Sequence, residues 1–210
     1  MEQETIAQRT EEWKRQRLGL VTASRVVDVL AKTKSGYGAS RANYMAELLC
    51  ERLTGEPADR FTSAEMQRGT ELEPQARAAY AFIQGVSVQE TGFVLHPVIS
   101  GFGASPDGLV GDVGLVEIKV PNTATHVDYL LSQTVPGKYV TQMMAQMACT
   151  GRTFCDFVSF DPRLPDELQL FVKRVHRDKD AIAEMEREIE TFLDELKDKE
   201  LQLRNLARAA

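Results

Sequence analysis

Cysteine is scarce and never paired. Cys50, Cys149 and Cys155 form an odd set with no CxxC spacing, which excludes a disulfide framework and a four-thiolate metal site and leaves buried thiols as the expectation. Histidine is as sparse: His96, His126 and His176 are singletons read as surface or packing residues, so no imidazole cluster is on offer. No long apolar run exists either. The longest stretch without a charge, between Glu90 and Asp107, is interrupted by Gly92, Pro97, Gly101, Gly103 and Pro106 and cannot cross a membrane as a helix. Met1 to Thr10 carries Glu2, Glu4 and Arg9 and lacks the apolar centre of a secretory signal, so a cytoplasmic protein with no membrane association is expected. With 14 Gly, 8 Pro, 43% hydrophobic and 27% charged residues, the chain is neither collagenous, low-complexity nor disordered. Its 210 residues suit a single domain with a sizeable core.

A net charge of −6 argues, taken as a mean, against a nucleic-acid partner. The mean hides an asymmetry. From Asp178 to Glu200 ten acids face Lys179, Arg187, Lys197 and Lys199, which accounts for the whole excess. From Trp13 to Arg41 the balance reverses, with Lys14, Arg15, Arg17, Arg25, Lys32, Lys34 and Arg41 against Asp28 alone. Read by itself each run is a solvated helix. A polyanion site in the first third is the alternative.

Periodicity predicts helices over 13–18, over 22–31 opening at Thr22-Ala-Ser-Arg25, over 40–53, and over 63–84 with Gly85 as its stop. The segment 32–38 reads as a loop. Val86 to Leu95, Gly101 to Ala104 and Leu115 to Val120 read as consecutive strands of one sheet. A Met-rich helix over 138–150, strands over 153–160 and 168–175, and a charged helix over 178–208 complete the pattern. The expected fold is α/β (α+β), a central mixed sheet flanked by helices, in one unit: a basic helical region over residues 1–85, a sheet core over 86–176 and an acidic helix over 177–210.

The chemistry concentrates at Ser105-Pro-Asp-Gly-Leu109 and Leu115-Val-Glu-Ile-Lys119. Alternate strand residues share a face, so Glu117 and Lys119 point together while Ile118 turns into the core. A hairpin turning between Gly108 and Gly114 brings Asp107 beside Glu117. Two carboxylates, with the Ile118 carbonyl, make a hard-oxygen site suited to Mg²⁺, with Mn²⁺ able to substitute, and unsuited to zinc. A hard cation next to a lysine serves phosphodiester hydrolysis, because the metal polarises the phosphate and acidifies water while the ammonium orients it. Alone, the short pattern also fits a solvated strand edge.

Asp107 behind Ser105-Pro106, with Glu117-Ile-Lys119 on the next strand, resembles the PD-(D/E)xK nuclease superfamily and its restriction-endonuclease-like core. Five motifs in order narrow this: Trp13-x-x-x-Arg17-Leu-Gly-x-x-Thr22-Ala-Ser24, Gly69-x-x-x-Glu73, Ser105-Pro-Asp-Gly, Glu117-Ile-Lys-x-Pro121 and Tyr139-x-x-Gln142. Together they resemble the phage lambda-type exonuclease, or YqaJ-like viral recombinase, family from Trp13 to Pro162.

The resemblance implies a phage- or prophage-encoded, Mg²⁺-dependent exonuclease that digests one strand of duplex DNA from its 5′ end. It further implies a homotrimeric ring working with a single-strand annealing protein, and under it the basic first third would line a DNA channel with the acidic terminal helix turned outward. Asp107, Glu117 and the Ile118 carbonyl would hold the metal, and Lys119 would position the attacking water. Glu73 would reach a second metal or its water, and Gln142 would support the lysine or the scissile strand. Arg17, Ser24 and Ser105 match a 5′-phosphate pocket. Met66 falls where the family places an apolar wedge, and Lys34 where a groove-entering arginine is expected. On the residues alone, Glu73 is an i,i+4 partner of Arg77, and Met66 is core. A repair or restriction-type endonuclease on the same core and a non-catalytic DNA-binding adaptor are the competing functions.

Overall fold

The computed structural model describes residues 6–34, 36–58 and 63–209. Helices α1 (Glu11–Gln16), α3 (Ala39–Thr54) and α4 (Ala64–Gln84) fall close to their predicted positions. Thr10 caps α1 by accepting from the Trp13 amide, and Ser63 caps α4 by accepting from the Met66 amide. The helix expected over 22–31 is smaller: strand β1 (Val21–Thr22) leads into a 3-10 turn at Ala23–Arg25 and the single turn α2 (Val26–Val29). Three valines in four residues propagate a helix weakly, and Val26 and Val29 are held by burial instead. Segment 32–38 is a hairpin rather than a loop, with β2 (Lys32–Thr33) antiparallel to β3 (Gly36–Tyr37).

The run from Val86 to Leu95 divides between two sheets. Strand β4 (Val88–Gln89) joins one and β5 (Val94–Leu95) the other. The break falls at Thr91-Gly92, where residues 6–8 cross so closely that a Cβ on Gly92 would lie 2.4 Å from the Ile6 carbonyl oxygen. Strands β6 (Phe102–Ala104), β7 (Gly108–Val110) and β8 (Gly114–Lys119) follow. Then come α5 (Thr123–Ser132), α6 (Gly137–Thr150), β9 (Phe154–Phe160), β10 (Leu170–His176) and α7 (Lys179–Ala209). Helix α5, capped by Asn122 accepting from the Thr125 amide, has no counterpart among the elements expected from periodicity.

The larger sheet runs β10-β9-β8-β7-β4, with β8 and β9 parallel and the other pairs antiparallel. The smaller runs β1-β6-β5. Strand β8 is buried on both faces: Val116 and Ile118 meet Ala76 and Tyr80 of α4, while Leu115 joins a core with Met143 and Met147 of α6. Cys149 and Cys155 are buried as expected, whereas Cys50 is exposed.

The charge asymmetry resolves differently from the outward acidic helix expected. Helix α7 buries Ile182, Met185, Ile189, Phe192 and Leu196 at helical spacing and lies against α2 and α3. Its acids meet the basic first third directly: Glu188 takes Lys32 at 2.6 Å, Glu195 takes Arg41 at 2.7 Å and Glu200 takes Arg52 at 3.5 Å. Much of the positive charge read as a channel lining is therefore spent within the fold. Arg41, whose side chain is 6% exposed, binds both oxygens of Glu195 and lies 3.8 Å above Tyr37. Arg41→Ala is expected to lower stability by about 2 kcal/mol, below a fully buried pair because Glu195 is 39% exposed. Thermal melting checks this; the salt dependence of DNA binding should not change.

Candidate active site

The β7–β8 register pairs Gly108 with Val116, so the next step outward sets Asp107 against Glu117. Gly108 is required there, since a Cβ would lie 2.3 Å from a Val88 methyl. The Asp107 carboxylate accepts the Ile118 amide at 2.7 Å, which seats it on the neighbouring strand. Glu117 is 1% exposed. Its Oε1 pairs with Lys119 and accepts Gln142 at 2.6 Å, while Oε2 accepts Gln146 at 2.5 Å. The two glutamines stand one turn apart on α6 and hold both oxygens of one carboxylate. Gln142 stands within a recognisable motif; Gln146 does not, although its i,i+4 spacing from Gln142 puts both amides on one helix face.

Burial and the Glu117 charge push the Asp107 carboxyl up to about 8, against the pull of Lys119 and the Ile118 amide. Burial alone would draw Lys119 down, but the charges of Glu117 and Asp107 outweigh it and hold the ammonium above its ordinary range. Glu73 also raises Asp107 and lines one cavity with Ile118 and Lys119, so its charge is felt at the site. It binds Arg77 at 2.6 Å, as the i,i+4 spacing anticipates, and it also pairs with Arg9. Among the described residues no group of three or more His, Cys, Asp or Glu is arranged to hold a metal. The carboxylates of Asp107 and Glu117, with the Ile118 backbone bound to the first of them, are the donor set the fold offers. Its oxygens are hard, and two crowded anions favour a cation between them, so the set fits Mg²⁺ or Mn²⁺.

Arg17, Ser24 and Ser105 line one cavity of 160 Å³, which extends to Gln142. The Arg17 guanidinium lies 3.8 Å above the Trp13 ring, and the Trp13 indole N–H donates to Ser105 Oγ at 3.0 Å. Met66 is 58% exposed rather than core, and it lines a second cavity of 370 Å³ with Glu73, Ile118 and Lys119. Lys34 does not join the cluster: it is exposed at the tip of the β2–β3 hairpin and lines neither cavity. Met143, Met144 and Met147 are core, as expected. No helix of the described residues is long and apolar enough to cross a membrane.

A mixed sheet that seats an aspartate at one strand end beside Glu-x-Lys on the next, with helices on both faces, defines a PD-(D/E)xK fold. Within that class the chain belongs to the YqaJ-like viral recombinase family, whose model matches residues 12–153. It is similar to LHK-Exo, an alkaline exonuclease from Laribacter hongkongensis, at 55% identity over 96% of this chain and 100% of that one, with a TM-score of 0.89. The same identity, coverage and TM-score hold for LHK-Exo in complex with dAMP. A phage related exonuclease from Haemophilus somnus 129PT, 17% identical over 86% of this chain and 96% of its own, shares the fold with a TM-score of 0.67. Among curated proteins none matches.

Proposed function

We propose that this chain is a Mg²⁺-dependent exonuclease that removes nucleotides from the 5′ end of one strand of linear duplex DNA, in phage-type recombination by single-strand annealing. The observation that carries the reading is the junction of the Asp107, Glu117 and Lys119 cluster with the cavity of Arg17, Ser24 and Ser105, made through Gln142. Family membership and the 55% identity to an alkaline exonuclease support it.

Asp107, Glu117 and the Ile118 carbonyl would hold Mg²⁺ (or Mn²⁺), which supplies Lewis-acid polarisation of the phosphate and acidifies water. Gln142 and Gln146 fix the Glu117 rotamer opposite Asp107. Lys119, kept protonated by its two acidic neighbours, donates to the attacking water and offsets negative charge in the transition state. The Arg17 fork, held over the Trp13 ring, and the Ser24 and Ser105 hydroxyls suit a terminal phosphate dianion. Met66, exposed in the cavity that Lys119 also lines, would wedge against the unpairing end. Lys34 would contact DNA outside this cleft as a single charge. A homotrimer acting in the bacterial cytoplasm with an annealing protein completes the proposal.

The test is mononucleotide release from linear duplex with and without a 5′-phosphate. The wild type should prefer the phosphorylated end by about tenfold or more, and Arg17→Ala should abolish the preference. Cleavage of covalently closed circles would instead favour an endonuclease.

A further inference from the structure

The cavity lined by Arg17, Ser24 and Ser105 and the cavity lined by Met66, Glu73 and Lys119 have one lining residue in common, Arg9. The acidic pair lies at their junction, because Gln142 of the first and Lys119 of the second both contact Glu117. A strand held by its terminal phosphate in the first cavity and cleaved at the acids passes Arg9.

The backbone around Arg9 is built for this position. Arg9 is left-handed at φ 70, a conformation that costs a side-chain-bearing residue about 1 kcal/mol. Ties on both sides impose it. Gln8 donates from Nε2 to the carbonyls of Thr91 at 2.8 Å and Pro106 at 2.7 Å, and Thr10 donates from Oγ1 to the Ala7 carbonyl at 2.8 Å. The Pro106 carbonyl immediately precedes Asp107, so the segment is fastened to the turn that carries the acid. So directed, the guanidinium meets Glu73 while keeping 46% of its side chain exposed. Glu73 keeps a cation when Arg9 leaves, since Arg77 Nη2 binds its other oxygen at 2.6 Å while Nη1 of the same fork takes the exposed Glu90.

We propose that Arg9 is a phosphate clamp that exchanges partners, resting on Glu73 in the DNA-free protein and transferring to the scissile phosphodiester when a strand end fills the Arg17 cavity. The inference rests on the 5′-end reading above. A planar fork matches two phosphate oxygens as well as it matches a carboxylate, and Glu73 retains its contact with Arg77 after the exchange.

The experiment is anisotropy of a labelled linear duplex, with a 5′-phosphate or a 5′-hydroxyl, titrated in EDTA from about 50 to 200 mM salt. Arg9→Gln is expected to weaken both duplexes and to reduce the slope of log K against log salt by about 0.9, one phosphate contact, while the preference for the phosphorylated end persists. Glu73→Gln is expected to tighten binding by releasing Arg9, and the gain should vanish when both substitutions are combined. A strap with no DNA contact would show a lowered Tm for Arg9→Gln with an unchanged slope, and that result overturns the clamp. So does a Glu73→Gln protein that binds no better than wild type, a readout that holds even if Arg9→Gln folds poorly. A wild type blind to 5′ phosphorylation overturns the end-pocket reading instead.

Discussion

Asp107→Asn should lower nucleotide release by about a thousandfold or more while making the metal-free protein more stable. The rate falls because an amide is a poor cation ligand, so one of two carboxylates is lost from a site where, among the described residues, no third carboxylate is poised to replace it. Stability rises because the same carboxylate is crowded in the fold. Its ordinary value is 3.8 and burial with Glu117 pushes it up to about 8. The folded protein therefore retains a proton that the unfolded chain has released, and stability falls as pH rises between those two values. Asparagine carries no such proton, and its carbonyl can still accept the Ile118 amide. In EDTA at pH 8, Tm of the variant should exceed wild type, by about 2–4 °C per kcal/mol recovered, and the gap should close toward pH 4. A variant that lost activity by misfolding would show the opposite shift.

The acids and the lysine are legible in the sequence because two local rules suffice to place them. Alternation puts Glu117 and Lys119 on one face, and a short turn returns the chain so that Asp107 meets Glu117. Gln146 is equally legible in principle, at i+4 from Gln142. Arg9 is not. It reaches the site through a left-handed residue and side-chain ties from Gln8 to carbonyls 83 and 98 positions away, and neither leaves a periodic trace. Strands β5 and β6 lie in segments that read as strands, but their place in a second sheet escapes for a related reason: its third member, β1, is two residues long and pairs in parallel with residues 102–103, so nothing near it announces a strand. The two charged ends are visible as composition, but composition alone presents them as separate solvated faces. Their pairing, Lys32 to Glu188 across 156 positions and Arg41 to Glu195 across 154, depends on α7 folding back. Equal and opposite local excesses are the available signal.

The raised Asp107 carboxyl also ties metal binding to pH. Below about 8 a cation must displace a proton from Asp107 before it gains that ligand; above, the ligand is already ionised. At subsaturating Mg²⁺ the cleavage rate should rise about tenfold per pH unit up to that point and then level off, so that activity at pH 6 lies about two orders of magnitude below activity at pH 8. Because proton and metal compete for one carboxylate, each tenfold increase in Mg²⁺ should move the rising limb about one pH unit lower. Calorimetry in buffers of different ionisation enthalpy gives a second readout: about one proton released per metal bound at pH 6.5, declining toward none above pH 9. In Asp107→Asn the proton release should disappear. A limb that stays fixed as Mg²⁺ is raised would assign the ionisation to a group outside the cation site, such as the attacking water, and would remove Asp107 from the ligand set.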